Sequence, residues 1–313
     1  MMRVYPLLFL SLLFSSCLSK EEDVVNVGLL NGPSSIVMAA AMEEATYFEG
    51  QHIHYLIKDS PQHLRALIQS GNLDMAIVPM TMAYNMIENN FNIKIAAITG
   101  WGNLFILGQD SIGSFQELEG KTISVPGEGQ TPDLVSRFLV DYFSMQDKIS
   151  LNYTYPSPLL LTSALAVGKI QYAILPEPLA SLAKQKNPQL KRCLNLAELW
   201  QHSLPDIALV QSVLIVKTDY YTAHSAWFEA YLNASQDLAL KHIQQTSEAL
   251  QLAIKHELLA PGIQDTLIIT RSRLDFKRDS SIADDINSYL QTFYSLQDDF
   301  NIYDHLILEK KTE

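Results

Sequence analysis

The residues best suited to hold a small molecule stand where predicted strands end and predicted helices begin. Thr81 and Glu177 come just after Pro79 and Pro176, which close two similar apolar strand segments. We therefore expect Thr81 and Glu177 at corresponding ends of two structural units, facing each other across a cleft. The Glu177 carboxylate can accept hydrogen bonds from ligand N–H groups, or it can simply favour the N-terminus of a helix that follows it.

Two turns add backbone N–H groups at predicted helix starts, where anions and polar acceptor groups bind well. The candidate ligand-binding residues in these turns are Asn31, Ser34, Ser35, Gly129, Gln130 and Thr131. Open α/β sheets bind ligands at the carboxyl ends of their parallel strands, which favours a binding role for both turns. Ordinary N-capping by Ser34 and Thr131, with Pro132 as the first helical residue, explains the same pattern, and both interpretations stay open.

A further pair of candidates comes from the segment Gly100-Trp-Gly-Asn103. Trp101 offers a flat surface for stacking and Asn103 offers an amide, although a buried Trp more often belongs to a core than to a binding site. If Glu177 faces the ligand, it argues against a small bare anion, because two negative charges repel each other. Trp101 and Glu177 together favour a heteroaromatic, nitrogen-bearing ligand.

Spacing and composition exclude or disfavour other chemistry. Residues 120–122 read Gly-Lys-Thr, but the glycine that a phosphate-binding loop requires five positions earlier falls on Phe115. His52 and His54 share one side of a predicted strand without a carboxylate cluster, so we expect no metal site and no cofactor. Two Cys exclude a disulfide framework. A formal net charge of −12 disfavours nucleic-acid binding, because a phosphate backbone would be repelled.

The first residues are typical of a targeting segment. Residues 1–16 carry one cation, Arg3, followed by an apolar run that is shorter than the roughly 20 residues a membrane-spanning helix needs. Small residues then precede Cys17, an order that resembles a bacterial lipobox, although Phe14 departs from its usual aliphatic residue. We expect a signal peptide over 1–16, acylation of Cys17 and a tether over 17–23; the alternative is a plain signal peptide with an incidental Cys.

An internal repeat organises the rest of the chain. The same offset of 97 residues relates Gly, Pro and Ser positions in two segments, and the pairs are Gly32 and Gly129, Ser60 and Ser157, Pro61 and Pro158, Gly71 and Gly168, and Pro79 and Pro176. These residue types fix backbone geometry, so a shared offset favours duplication over chance. The repeat predicts two similar α/β lobes with mostly parallel sheets, including a helix that ends near Phe48.

Two strand-like segments can carry the chain from one lobe to the other and back, which allows a hinge. The predicted lobe I comprises residues 24–107 and 216–313, and the predicted lobe II comprises residues 108–215.

A two-lobed chain of this kind resembles the substrate-binding proteins of ABC importers, in the group that handles nitrate, sulfonates, thiamine precursors and riboflavin. The residues that carry the resemblance are those of segments 71–74, 118–123, 127–133 and 168–178. The resemblance implies a fold like that of type II periplasmic binding proteins and a small molecule held between the lobes. It also implies a monomer that faces the periplasm or cell exterior and serves a membrane permease and its ATPase, without catalysis.

Two other function classes stay open. Chorismate-processing enzymes of menaquinone synthesis and a eukaryotic thiamine-pyrimidine synthase have a similar fold, although the synthase uses a Cys-rich iron motif and this chain has only Cys17 and Cys193. An export signal also argues against cytosolic biosynthesis. A surface antigen that merely keeps the fold is the third possibility.

Overall fold

The computed structural model describes residues 24–296 and 300–307. The predicted signal peptide, Cys17 and the predicted tether lie outside these residues. In the described part of the chain, no helix combines the length and the apolar character needed to cross a membrane.

Twelve strands form two separate β-sheets. In chain order they are β1 (Val24–Leu30), β2 (Tyr47–Phe48), β3 (Gln51–Lys58), β4 (Met75–Pro79), β5 (Ile93–Trp101), β6 (Leu104–Gly108), β7 (Thr122–Ser124), β8 (Ser150–Asn152), β9 (Tyr172–Pro176), β10 (Lys191–Asn195), β11 (Val210–Lys217) and β12 (Leu274–Lys277). The first sheet has the order β12-β5-β11-β4-β1-β3-β2, and the second has the order β10-β6-β9-β7-β8. We call the part of the chain built on each sheet the first lobe and the second lobe.

Helices cover the two sheets. In chain order they are α1 (Ala39–Glu44), α2 (Pro61–Gln69), α3 (Met80–Glu88), α4 (Thr131–Tyr142), α5 (Pro158–Ala166), α6 (Leu179–Lys186), α7 (Leu196–Ser203), α8 (Thr218–Ile243), α9 (Thr246–Lys255), α10 (Leu267–Arg271) and α11 (Ile282–Phe293). Three short 3₁₀ turns lie at Pro33–Met38, Phe115–Leu118 and Ile302–His305.

Strand pairing follows the internal repeat. In the first lobe β1 lies between β4 and β3, parallel to both, and in the second lobe β7 lies between β9 and β8, again parallel to both. The other pairings are antiparallel: β11 with β4 and β5, β12 with β5, β2 with β3, and β6 with β9 and β10. Both sheets are therefore mixed, and the prediction of mostly parallel sheets is wrong in this respect, because the strands that enter each sheet from the other lobe, β6 and β11, run antiparallel to their neighbours.

The helices α2 and α5 begin and end at the same offset of 97 residues, and in both the serine of the repeat that precedes the first proline is the N-cap. The Ser60 side chain accepts a hydrogen bond from His63 N at 3.4 Å, and that of Ser157 accepts one from Leu160 N at 3.5 Å.

The predicted helix that should have ended near Phe48 is shorter, and this part of the prediction is wrong. The chain first makes the 3₁₀ turn, then α1 ends at Glu44, and Tyr47 and Phe48 form β2 antiparallel to β3. Glu49 and Gly50 both have positive φ angles, 42° and 88°, and they form the tight turn between these strands. A non-glycine residue in this conformation gives little sequence signal.

The chain passes from the first sheet to the second and back. The strand β6 already belongs to the second sheet, and β11 belongs to the first, so these passages lie at residues 102–103 and 204–209. The predicted lobe boundaries, after residues 107 and 215, fall inside β6 and β11, several residues beyond the passages. The two lobes as separate domains stay a prediction.

The lobes share one continuous apolar cluster. It joins Tyr84 and Tyr289 of the first lobe to Leu139 and Trp200 of the second. The ring of Trp200 lies 5.3 Å from that of Phe293, measured between ring centroids, so helix α11 packs against α7 across the boundary.

Candidate ligand-binding site

The turn after β1 is built from the candidate residues themselves. Asn31 is exposed, and its N–H donates to the Lys58 carbonyl at 2.9 Å. Ser35 is buried, and its hydroxyl accepts from Leu30 N at 3.0 Å. Ser34 is half-buried and does not act as the N-cap, because Gly32 takes that position in the 3₁₀ turn. The predicted capping role of Ser34 is therefore wrong.

The matching turn in the second lobe is organised by the carboxylate of Asp133, a residue in the first turn of α4. Gly129, with φ at +75°, donates its N–H to Asp133 Oδ2 at 2.8 Å. Asp133 Oδ1 accepts from Arg137 Nε at 2.8 Å and from the Tyr153 hydroxyl at 2.6 Å. Burial alone would raise the pKa of Asp133, but these hydrogen bonds lower it below its ordinary value.

Thr131 is the first residue of α4, and the exposed Gln130 is the N-cap, so the predicted capping role of Thr131 is wrong by one position. Thr131 is buried, and its Oγ1 has no hydrogen-bond partner in the described part of the protein. The same holds for the hydroxyl of Tyr289, which comes from the first lobe. Burial raises the pKa of Tyr289, and an interaction with the Thr131 hydroxyl, close to hydrogen-bonding range, partly offsets that rise. The two hydroxyls thus meet at the lobe boundary, and neither makes a hydrogen bond of good geometry with the described residues.

Thr81 and Trp101 occupy the first-lobe side. Thr81 is buried in the first turn of α3. Trp101 is half-buried at the end of β5, and its Nε1 donates to Asp275 Oδ2 at 2.9 Å. Lys277 Nζ lies 5.6 Å from the centroid of the Trp101 ring. One face of the proposed stacking surface is therefore occupied by a cation of the protein itself.

Asn103 lies at the first passage between the sheets and contacts both lobes. Its N–H donates to Gln211 Oε1 at 3.2 Å, and its carbonyl accepts from Glu177 N at 3.1 Å. The side chain is buried, and Oδ1 has no hydrogen-bond partner among the residues described. The backbone of Asn103 is therefore hydrogen-bonded to both lobes, while its side-chain oxygen remains able to accept a hydrogen bond from a ligand.

Glu177 is fully buried and is surrounded by donors of the protein. Its carboxylate accepts from Ser181 N and Ser181 Oγ, both at 3.1 Å, and from Arg271 Nε at 2.7 Å. Arg192 Nη2 donates to the same carboxylate. Arg271 belongs to the first lobe, so this ion pair crosses the boundary. Because two arginines, Arg192 and Arg271, compensate the charge of Glu177, the carboxylate would not repel an anionic ligand.

The candidate residues therefore fall into groups. Thr131 lies beside Tyr289, Asn103 lies beside Glu177, and Asn31 and Gln130 stand exposed on their turns. Sequence analysis missed Ser181, Arg192, Arg271 and Tyr289, all of which contact or adjoin candidate residues. Arg271 follows Glu177 by 94 residues, and no motif marks the pair.

Comparisons with known proteins bear on this architecture. A sequence profile of a family described as menaquinone biosynthesis matches residues 25–294. No curated protein matches the chain.

Solved structures match over most of the chain. An ABC transporter protein from Parabacteroides distasonis shares 24% identity, with a TM-score of 0.73 over 86% of this chain and 91% of that one. The ligand binding component of an ABC-type import system from Staphylococcus aureus, solved with zinc bound, shares 16% identity, with a TM-score of 0.72 over 91% and 97% of the two chains. The periplasmic aliphatic sulphonate binding protein SsuA from Escherichia coli shares 14% identity, with a TM-score of 0.70 over 90% and 97%. At these identities the likeness shows the fold, and it confirms the predicted two-lobed architecture of type II periplasmic binding proteins.

Proposed function

The chain belongs to the menaquinone biosynthesis family, and we propose that it works as an extracytoplasmic solute-binding protein of an ABC import system. It captures a small molecule between its lobes and delivers it to a membrane permease that a separate ATPase drives. The similar structures named above are ABC import proteins, which supports this role. Proteins with the same fold have different functions, so the function depends on the residues of the site.

One observation supports the proposal: three buried polar atoms from both lobes make no hydrogen bond of good geometry with the described residues. They are Asn103 Oδ1, Thr131 Oγ1 and the Tyr289 hydroxyl, and the last two lie close to each other. Buried polar groups are nearly always hydrogen-bonded, and each one left unpaired costs about 1–3 kcal/mol. A polar small molecule between the lobes would satisfy these groups, and since they come from both lobes, its binding would favour closure.

The predicted export signal and Cys17 support a location outside the cytoplasm. An acylated Cys17 would tether the protein to a membrane, with 17–23 as the predicted tether. Cys17→Ala should abolish acyl labelling and move the protein out of the detergent phase in partitioning. Unchanged partitioning of that variant would remove the anchor from the proposal, although not the capture of solute.

Mass spectrometry of the native protein and of small molecules released from it tests the capture of solute. The released molecule, added back to the stripped protein, should reduce the radius of gyration in small-angle scattering. Thr131→Val keeps the shape of the side chain and removes the hydroxyl, so it should lower affinity about tenfold if the ligand bonds there. The exposed Thr154→Val is its matched control and should leave affinity unchanged.

A biosynthetic enzyme is the second candidate, because the family match itself is to menaquinone biosynthesis. Loss of the ultraviolet absorbance of chorismate on incubation with the purified protein would support this candidate. Turnover of chorismate, with no solute released and no compaction, would overturn the proposed import role.

A further inference from the structure

A cavity of about 320 Å³ lies at the boundary between the lobes, and none of the candidate ligand-binding residues lines it. The second lobe contributes Ser181, Lys184, Gln185 and Arg192 to its wall, and the first lobe contributes Gln264 and Asp265. Its size falls within the range of about 300–1,000 Å³ typical of small-molecule pockets. The cavity is therefore large enough for a ligand and is built by both lobes.

Positive charge dominates the wall and the residues directly behind it. Three cations, Lys184, Arg192 and Arg271, stand against two carboxylates, Glu177 and Asp265. Both carboxylates are already paired with arginine: Arg271 donates to Glu177 and to Asp265, and Arg192 donates to Glu177. One positive charge is left over in a chain whose formal net charge is −12.

Lys184 is the cation without a carboxylate partner among the ion pairs of the described residues. Its Nζ donates to the Leu190 carbonyl at 2.8 Å, which satisfies one donor and neutralises no charge. Burial lowers the pKa of Lys184, and the neighbouring cations Arg192, Lys191 and Arg271 lower it further. An anion in the cavity would relieve this repulsion.

Arg192 is held in a fixed orientation by its neighbours. Its Nη2 donates to Glu177 and to Ser181 Oγ, the latter at 2.9 Å, and its Cζ lies 5.0 Å from the centroid of the Phe105 ring. A planar guanidinium held in place loses little side-chain entropy when it binds an oxyanion. Glu177 therefore acts here as a positioning residue for Arg192.

We infer that this cavity binds a small oxyanion, a carboxylate, sulfonate or phosphate monoester, with its negative group against Lys184 and Arg192. The rest of the molecule extends toward Gln264 of the first lobe. None of the candidate ligand-binding residues lines the cavity, and Glu177 adjoins it only through Ser181 and Arg192. The inference does not rest on the proposed function. Because the wall comes from both lobes, a bound oxyanion favours the lobe arrangement in which the cavity is complete.

Calorimetric titration with matched probes tests the inference. Benzoate, benzenesulfonate and phenyl phosphate supply the three oxyanions, and benzamide is a neutral molecule with nearly the shape of benzoate. At least one oxyanion should bind about tenfold or more tightly than benzamide, since charge-assisted hydrogen bonds are about twice as strong as neutral ones. The tightest of the three identifies the oxyanion class.

Three substitutions locate the binding. Lys184→Gln should weaken oxyanion binding about tenfold, because it removes the uncompensated cation from the wall. Asp265→Asn should strengthen binding, because it removes a negative charge and releases a donor of Arg271. Lys186→Gln, on the same helix but exposed and outside the wall, is the matched control and should bind as the unmodified protein does.

Equal binding of benzamide and of all three oxyanions, or no binding by any oxyanion, would overturn the inference. An equal loss in Lys184→Gln and Lys186→Gln would also overturn it, since it would show general surface attraction. Asp265→Asn is expected to gain affinity, which a misfolded variant cannot do, so it keeps the test decisive if Lys184→Gln fails to fold. Failure of these titrations would leave solute release and compaction unaffected, so the proposed function is tested independently.

Discussion

The two halves of the internal repeat share a backbone plan, and they differ most in the side chain that directly follows β4 in the first lobe and β9 in the second. At the offset of 97 residues, Glu177 of the second lobe corresponds to Met80 of the first, and both side chains are fully buried. Met80 packs in the apolar core, whereas Glu177 is held by Arg192 and by Arg271 from the other lobe. The matching position of the first lobe takes an apolar residue, so the repeat itself does not require a carboxylate there. In the second lobe the carboxylate connects the lobes and also accepts a hydrogen bond from Ser181 N in the first turn of α6.

The substitution Glu177→Met, which gives the second lobe the residue found in the first, should lower the unfolding free energy most. Glu177→Met leaves Arg192 and Arg271, which are about 20% exposed, without their shared carboxylate. Breaking a buried ion pair by removing one partner costs about 3–5 kcal/mol, and the partial exposure of both arginines favours the lower end. Urea unfolding measures this loss directly.

The double variant Glu177→Met/Arg271→Met sharpens this prediction. Replacing both members of this pair by apolar residues should recover part of the loss, because Arg271 no longer stands without Glu177, while Arg192 and Asp265 still lose their partners. A double variant whose loss equals the sum of the two single losses would show that Glu177 and Arg271 are not coupled.

The first turns of the two halves differ in the same way. Asp133 corresponds to Ile36, and the hydrogen bonds of Asp133 join Gly129, Arg137 and Tyr153. Asp133→Asn keeps the shape and removes the charge, so we expect a loss of about 1.5–3 kcal/mol at neutral pH. Unfolding in urea at pH 7 measures it, with Tyr153→Phe as the variant that loses a single hydrogen bond.

The lowered pKa of Asp133 also predicts how the unfolding free energy depends on pH. Its pKa is lower in the folded protein than its ordinary value, so its contribution to stability is present above the ordinary pKa and is lost as pH falls through the folded pKa. The difference in unfolding free energy between the unmodified protein and Asp133→Asn should shrink below about pH 4. A difference that stays constant down to pH 2 would contradict the charge-based explanation.

The local parts of this comparison are predictable from sequence, and the long-range parts are not. Ser60 and Ser157 each precede a proline, and both cap a helix, because capping depends on residues within one turn. The parallel pairs around β1 and β7 follow from the same repeat, whereas the antiparallel strands that enter from the other lobe do not. The contact between Glu177 and Arg271 depends instead on how two lobes meet across 94 residues of chain, and neither residue type reveals its partner.

The candidate site shows the same limit. Sequence correctly placed Thr131 at a helix start, yet the meeting of Thr131 with Tyr289 depends on the packing of α11 against the second lobe. Trp101 is predicted to stack on a ligand, but two residues of β12 contact it: Asp275 accepts from its Nε1, and Lys277 lies over its ring. Strand β12 joins the sheet from far along the chain, which local patterns do not indicate.

A smaller loss of stability is expected from a substitution in β1, the first strand of the first lobe. Gly28 corresponds to the buried Val125, and a Cβ atom at Gly28 would stand 2.5 Å from Leu73 Cδ1 and 2.9 Å from Leu64 Cδ2. Gly28→Ala should therefore overpack the first lobe and cost about 1–2 kcal/mol. Gly113→Ala is the control, because its Cβ meets only Glu117 Oε1 at 3.4 Å. Equal melting temperatures for the two variants would contradict the overpacking argument.

The smallest effect should come from the helices α2 and α5, although they differ most in surface character. Leu159 and Leu160 of α5 are 55% and 60% exposed, and the corresponding residues of α2 are the exposed polar Gln62 and His63. Leu159→Gln/Leu160→His gives α5 the surface of α2. Neither leucine is buried in the fold, so the unfolding free energy should change by less than about 0.5 kcal/mol. Leu161, the next residue, is fully buried and matches the buried Leu64, so Leu161→Gln should destabilise strongly by burying an unpaired amide. A large loss in the double variant would show that the two leucines pack against the protein after all, and that the repeat does not extend to the outer faces of its helices.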